Sequence, residues 1–228
     1  MLRLAAARSV RHRDLMAASG LPPSEVTRHA GRLLQGGFLK KDRNGGMSIT
    51  RVGQYYLECL DNSEFISFNN SFFEKHSLDA MPVGFDPISM LRKCEMLNET
   101  MDVVNSAIQI TAESKSFINC ILDRHSDALI GVHVEKIKSG NEVNIISNAG
   151  RPVPQEYSDC RNHDVSMKVL KQVPFFMVHA ESRAMICFRS TGGGIDYSTS
   201  FVSSDADFLE WCDSLFSHFW MRGRDVVL

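Results

Sequence analysis

An α/β fold in two parts is predicted for this chain of 228 residues. The first part is a small helical domain closed by a β-hairpin, and the second a larger α/β domain with a mixed sheet. Three features predict it. Two helical segments separated by a short Ser19-Gly20-Leu21 break are followed at once by two short β-type runs around an Asn-Gly pair. Charge is split along the chain: residues 1–51 carry ten Lys and Arg against three acids, a net +7, and the remainder carries 15 against 24, a net −9. Beyond residue 86, apolar runs and helical periodicities alternate, separated by Gly and Pro punctuation, as in crossover units.

The segment from Leu21 to Leu39 is the most informative stretch. Val26, Ala30, Leu33 and Leu34 recur at three-and-four spacing, which predicts one buried helical face. Ser24, Thr27, Arg28 and Arg32 fall on the other face, where hydroxyls and guanidinium forks suit contact with bases and phosphates. Pro22-Pro23 predicts the helix start, since proline donates no backbone hydrogen bond and has a pre-set φ, and Gly36-Gly37 predicts the stop. Before it, Val10 to Ala18 is a helix containing Leu15 and Met16, and Met1 to Ala7 a short first helix, either clipped or with its natural start upstream. After it, Phe38–Lys41 and Met47–Thr50 form a hairpin around Asp42-Arg43-Asn44-Gly45-Gly46, with Asn-Gly in a type I′ turn and Lys41 and Arg43 beside the tip. Helix, turn, helix and basic hairpin are the order of a winged helix-turn-helix. The basic head implies a polyanion, double-stranded DNA, and the acidic body would keep the duplex on one face. The candidate contacts are therefore Ser24, Thr27, Arg28, Arg32, Lys41 and Arg43.

Thr50 to about Lys75 is read as one long helix, rich in Tyr55, Tyr56, Leu60, Phe65, Phe68 and Phe72, with more apolar surface than a small domain covers. It implies a homodimer, the alternative being an internal core helix. The six cysteines lie far apart with no C-x-x-C pair, so neither a zinc site nor a disulfide framework is indicated. Buried thiols of a cytoplasmic protein are expected, with a redox sensor as the alternative. No apolar run reaches the ~18 residues of a membrane span, and no signal-peptide pattern opens the chain. Neither membrane, cofactor nor metal is expected.

Two longer phrases carry a resemblance. The stretch FFEKHSLDAMP, from Phe72 to Pro82, and the closing SRAMICFRSTGGGIDYSTSFVSSDADFLEWCDSLFSHFW, from Ser182 to Trp220, are similar to a family of archaeal transcriptional regulators. Those proteins join an N-terminal winged helix to a C-terminal domain named after the filament-formation and methanogenesis regulator of methanogens. The resemblance covers nearly the whole chain and implies a sequence-specific regulator whose C-terminal domain dimerises or senses a signal. Gly31 departs from the Leu or Lys usual near that position, and in a helix interior costs about 1 kcal/mol relative to Ala.

In the body, Ile88–Met101 is predicted helical, Val103–Ile110 a buried strand, and Thr111-Ala112-Glu113 the cap of a helix through Phe117 to Leu122. Leu129–Ile137 continues helically, Glu142–Ile146 is a strand, and Gln155–Lys171 contains a helix. Pro174–Ala180, Arg183–Arg189 and Tyr197–Val202 are antiparallel strands, and Asp205–Met221 is the last helix. The organisation expected is a winged helix at 1–62, a linker helix and connection at 63–85, and an α/β domain at 86–228. That family's relatives resemble phospholipase-D-like folds, whose catalysis needs a His and a Lys two residues apart. None of His125, His133, His163, His179 and His218 has such a Lys, Thr191-Gly192-Gly193-Gly194 lacks the Lys of a phosphate loop, and no nucleophile elbow is present. The expectation is a DNA-binding regulator, not an enzyme. An unknown small-molecule effector remains open, as do a redox-responsive sensor and a phospholipase-D-like nucleic-acid enzyme.

Overall fold

The computed structural model describes residues 1–227, and the chain divides into two compact units, Met1–Phe68 and Asn69–Leu228. The first unit contains α1 (Leu2–Ala7), α2 (His12–Ser19), α3 (Pro23–Gln35), a hairpin of β1 (Leu39–Lys41) and β2 (Met47–Ile49), and α4 (Arg51–Phe68). Its core is small and continuous: Leu2, Ala5, Val10, Leu15, Val26, Ala30, Leu39 and Met47 are buried together. Punctuation is set locally. Gly20, at φ 65°, closes α2 by donating to the Met16 carbonyl. Pro23 opens α3, and Gly37, at φ 73°, lets the chain turn back so that the Phe38 amide reaches the Leu33 carbonyl at 2.9 Å. Val10 adds a bridge to Met47, so the hairpin sits against a third extended segment.

The hairpin turn corrects one expectation. A type I′ turn needs positive φ at both central residues, but Gly45 has it (φ 75°) and Asn44 does not. The loop is organised by Asp42 instead. Its amide donates to the Gly46 carbonyl at 2.8 Å, and its carboxylate accepts from the amides of Asn44 and Gly46, at 2.8 Å each, and from the Ser9 hydroxyl.

The second unit begins with α5 (Asn70–Lys75), so the long helix expected from 50 to 75 breaks at Asn69. Residues 63–68 therefore complete α4, and residues 69–85 fall within the second compact unit. The short β3 (His76–Ser77) follows. Within the family-like phrase, Phe72 is buried edge-on against Phe201 and stacked on His76, whose Nδ1 donates to the Phe72 carbonyl at 2.9 Å and whose Nε2 lies 3.0 Å from Asp196. These residues anchor the start of the unit.

Next come α6 (Pro87–Leu91), β4 (Glu95–Leu97), α7 (Thr100–Glu113), β5 (Phe117–Leu122), α8 (Asp127–Lys138), β6 (Glu142–Asn148), α9 (Gln155–Ser158) and β7 (Val165–Leu170). The unit ends with β8 (Phe176–Ala180), β9 (Ala184–Cys187), β10 (Arg189–Ser190), β11 (Ser200–Ser203), α10 (Ala206–Trp220) and β12 (Arg224–Asp225). One eight-stranded mixed sheet runs β12-β7-β6-β5-β8-β9-β11-β4; β5, β6 and β7 are parallel, and the other pairings antiparallel. A two-stranded ladder joins β10 to β3.

Three element assignments are corrected. Val103–Ile110 is helical: Val103, Ser106, Ala107, Ile110 and Thr111 are the buried face of α7, at helical spacing. Phe117–Leu122 is not a helix but the central strand β5, flanked by β6 and β8 and buried from Ile118 onward. The span Ile88–Met101 breaks after Leu91 to make β4. Gln155–Lys171 does contain a helix, the single turn α9, and its remainder includes β7. The parallel crossover itself is present as β5-α8-β6, turned through Gly140 at φ 90°.

Inside this unit, His133 on α8 is fully buried between the Tyr157 hydroxyl, 2.8 Å from Nδ1, and the Cys120 sulfur, 3.5 Å from Nε2. Burial, followed by the neighbouring His125, holds its pKa down at about 3, so the ring is neutral. Cys120, Cys160, Cys187 and Cys212 are buried, Cys94 is half-buried and Cys59 is exposed. Burial pushes the thiols of Cys94 and Cys187 up to about 12, which leaves them protonated and poorly nucleophilic.

Candidate nucleic-acid interface

The candidate residues converge on one small scaffold. On α3, Val26 and Ala30 are buried and Leu33 and Leu34 half-buried, which turns the opposite side outward. At about 100° per residue, Ser24, Arg28, Gly31 and Gln35 form the centre of that outer face, and all four are exposed. Thr27 and Arg32 are exposed on its two flanks. Arg32 also lines an open concavity of the first unit with Arg3, His29, Leu33, Tyr56 and Glu64.

Each side chain has a local state that bears on its use. The Thr27 hydroxyl donates to the Pro23 carbonyl at 2.9 Å, so its methyl and its oxygen lone pairs are what it presents. Arg28 pairs with Glu25 one turn earlier, and His29 approaches the same carboxylate at 3.4 Å. A pair this exposed is worth under about 1 kcal/mol, so a phosphate or a guanine edge can displace it. Gly31 leaves open space where a Cβ would stand, so the centre of the helix face is flat.

The hairpin brings Lys41 and Arg43 to its tip, both exposed. The hydrogen bond from Ser9, followed by those from the Gly46 and Asn44 amides, holds the Asp42 carboxyl below the usual range, so it remains an anion that fixes the loop. Two polar residues join the surface beyond those predicted. Gln35 continues the α3 face by one turn. Lys40 pairs across the ladder with Ser48 and is exposed on the hairpin side opposite Leu39 and Met47, whereas Lys41, paired with Met47, lies on the other side at the end of the strand. Periodicity would have found Gln35 had the outer face been followed to the helix end; Lys40 needed the register. Arg8, Arg11 and Arg13 are exposed at the α1–α2 corner, where Asp14 accepts from the Arg11 amide at 2.8 Å.

The acids of this unit beyond residue 51 sit on α4. Asp61 and Glu64 both take the Arg3 guanidinium, the former at 2.7 Å, which ties α1 to α4. Among the described residues no group of His, Cys, Asp and Glu is arranged to hold a metal ion, and no helix is long and apolar enough to cross a membrane.

No protein-family profile and no curated protein sequence matches the chain. Among solved structures, TrmBL2, an archaeal chromatin protein, aligns over 95% of this chain and 88% of its own at 9% identity, with a TM-score of 0.49. Nuc from Salmonella typhimurium, a phospholipase D family member, aligns over 55% of this chain and 91% of its own at 11% identity and a TM-score of 0.43. NucT from Helicobacter pylori aligns over 59% and 99% at 10% identity and a TM-score of 0.44. Likeness at these scores carries no functional argument, and what the surface does is argued from its own residues.

Proposed function

We propose that this protein is a sequence-specific DNA-binding regulator of the archaeal kind its sequence resembles, and not an enzyme. The first unit would lay α3 in the major groove and its hairpin along the flanking backbone. The observation that carries this reading is the outer face of α3, exposed and uncharged or basic from Ser24 to Gln35 apart from the Glu25 paired with Arg28, next to a hairpin tip bearing Lys41 and Arg43. A recognition helix needs such a face, flat enough to approach base edges and free of fixed anions.

Two copies would act together. On α4, Val52, Tyr55, Cys59 and Ile66 recur at heptad-like spacing and are exposed, and Phe68 is 80% exposed at the helix end. A stripe of that kind on an 18-residue helix suits a two-fold partner, which would match paired half-sites in the DNA.

The test is fluorescence anisotropy with labelled duplexes at several salt concentrations, using sites selected from random DNA. A base-reading Arg28 predicts that Arg28→Ala relaxes sequence preference, with a loss of about 1–3 kcal/mol on the selected site. A phosphate-contacting Arg43 predicts that Arg43→Ala weakens all sequences and lowers the salt slope by about one. If both variants bind like the unmodified protein, α3 and the hairpin are not the DNA surface.

A further inference from the structure

The second unit contains a cavity of about 360 Å³ beside α7, at the start of α8. It falls in the roughly 300–1,000 Å³ range of small-molecule sites. Its walls are mostly hydrocarbon: Val103, Val104 and Ala107 from α7, Leu129 from α8 and Phe176 from β8. The polar lining is different in character. Arg124, in the loop from β5 to α8, places its guanidinium 4.6 Å over the Tyr197 ring, with its side chain 61% exposed. Tyr197 packs edge-on against Phe176 at 5.2 Å and donates its hydroxyl to Asp123. Ser126, the N-cap of α8, also lines the space, so the positive end of that 12-residue helix lies beside Arg124.

Arg124 is the one charged group among the described residues lining the cavity, and no carboxylate lines it. Asp123, outside the lining, accepts the Tyr197 hydroxyl and forms an ion pair with Arg124, 3.8 Å from its Nε, while the Arg124 side chain stays 61% exposed to a further anion. An apolar chamber with a single held cation at its polar end selects for a molecule of matching construction.

We propose that this cavity binds a small amphipathic carboxylate, its hydrocarbon part against Val103, Ala107, Leu129 and Phe176 and its carboxylate on Arg124 with the Ser126 end of α8. The site goes beyond the DNA-binding reading, and its test reads ligand binding alone. The ligand's hydrocarbon is shielded from water by side chains already in place. Its charge meets a guanidinium that Tyr197 holds in position, so little side-chain freedom is lost on binding.

Isothermal titration of the full chain with hexanoate, octanoate and decanoate, each below its micelle concentration, tests this against 1-octanol and octylamine of matched length. The expected result is saturable one-to-one binding of at least one carboxylate, at least tenfold tighter than octylamine or octanol. Arg124→Gln, which removes the charge from a side chain that is 61% exposed, should weaken the carboxylate at least tenfold and octanol far less. Val104→Trp, at the half-open rim, should fill the chamber and remove binding of both, with far-UV circular dichroism checking that the unit stays folded. Absence of saturable binding by every carboxylate overturns the site. Equal binding of octanol and octanoate, indifferent to Arg124→Gln, overturns the role given to the cation. Binding that survives Val104→Trp in a folded protein places the ligand elsewhere and also overturns it.

Discussion

Acid should destabilise the second unit through His133, and the size of the effect follows from its surroundings. The ring is fully buried, with Tyr157 on one nitrogen and Cys120 on the other, and its pKa is held down at about 3 from an ordinary 6.5, by burial first and His125 second. The unfolded chain takes up this proton as pH falls below about 6.5, and the folded unit does not until near 3. A folded pKa below the unfolded one gives stability that is complete above the unfolded pKa and lost as pH falls. The slope is about 1.4 kcal/mol per pH unit, so His133 alone should remove about 2 kcal/mol between pH 7 and pH 5. His125 and His179, also held low chiefly by burial, act in the same direction. His133→Gln isolates one proton, because it keeps polar groups near Tyr157 and cannot titrate. Both tryptophans, Trp211 and Trp220, lie on α10, so their fluorescence follows the second unit through denaturant titrations at pH 7 and pH 5. The wild-type protein should lose about 2 kcal/mol more than the variant over that interval. Equal losses would refute the idea that His133 is held neutral against its unfolded-state affinity for a proton.

Two further outcomes are expected of the first unit. A Cβ at Gly53 would stand 2.1 Å from the Phe38 carbonyl oxygen and 2.8 Å from Ile49, so Gly53→Ala should push α4 from the hairpin and cost about 1–3 kcal/mol. Hydrogen exchange should then accelerate across residues 38–53 and stay unchanged on α10. If α4 is the two-fold element, Tyr55→Glu together with Ile66→Glu should convert a dimer to a monomer at tens of micromolar in multi-angle light scattering, without loss of helix in circular dichroism; an unmodified protein that is already monomeric there would refute the dimer.

The first unit was legible because its signals are short-range. Pro23 and Gly37 bound α3 through their own backbone preferences, and Val26 and Ala30 name its inner face by spacing alone. The hairpin turn departs from the Asn-Gly expectation because the Asp42 carboxylate binds the amides of Asn44 and Gly46, two and four residues on, and is itself held by the Ser9 hydroxyl 33 positions away. Local turn chemistry contains no record of that bond. In the second unit the exchange of Val103–Ile110 with Phe117–Leu122 has a similar origin. A β-branched run on α7 looks like a strand until its neighbours are known, and β5, covered on both faces, lacks the alternation that marks a half-exposed strand.

The same reasoning separates the two candidate sites. All six proposed DNA-contacting residues lie within one continuous segment of 20 residues, Ser24 to Arg43, and each needs only the helix or hairpin it belongs to in order to be placed. Lys40 escaped because its side of the hairpin depends on pairing with Ser48, which register fixes and composition does not. The cavity was out of reach altogether. Its walls come from α7, the loop before α8, α8 itself, β8 and Tyr197, and the first of these was read as a strand. A strand would have sent Val103 and Val104 to opposite faces, whereas on a helix Val103 and Ala107 share one face, with Val104 adjacent. Only once that element is helical do Arg124 and Tyr197 have an apolar chamber to close, and their pairing becomes a place for an anion instead of an incidental surface contact.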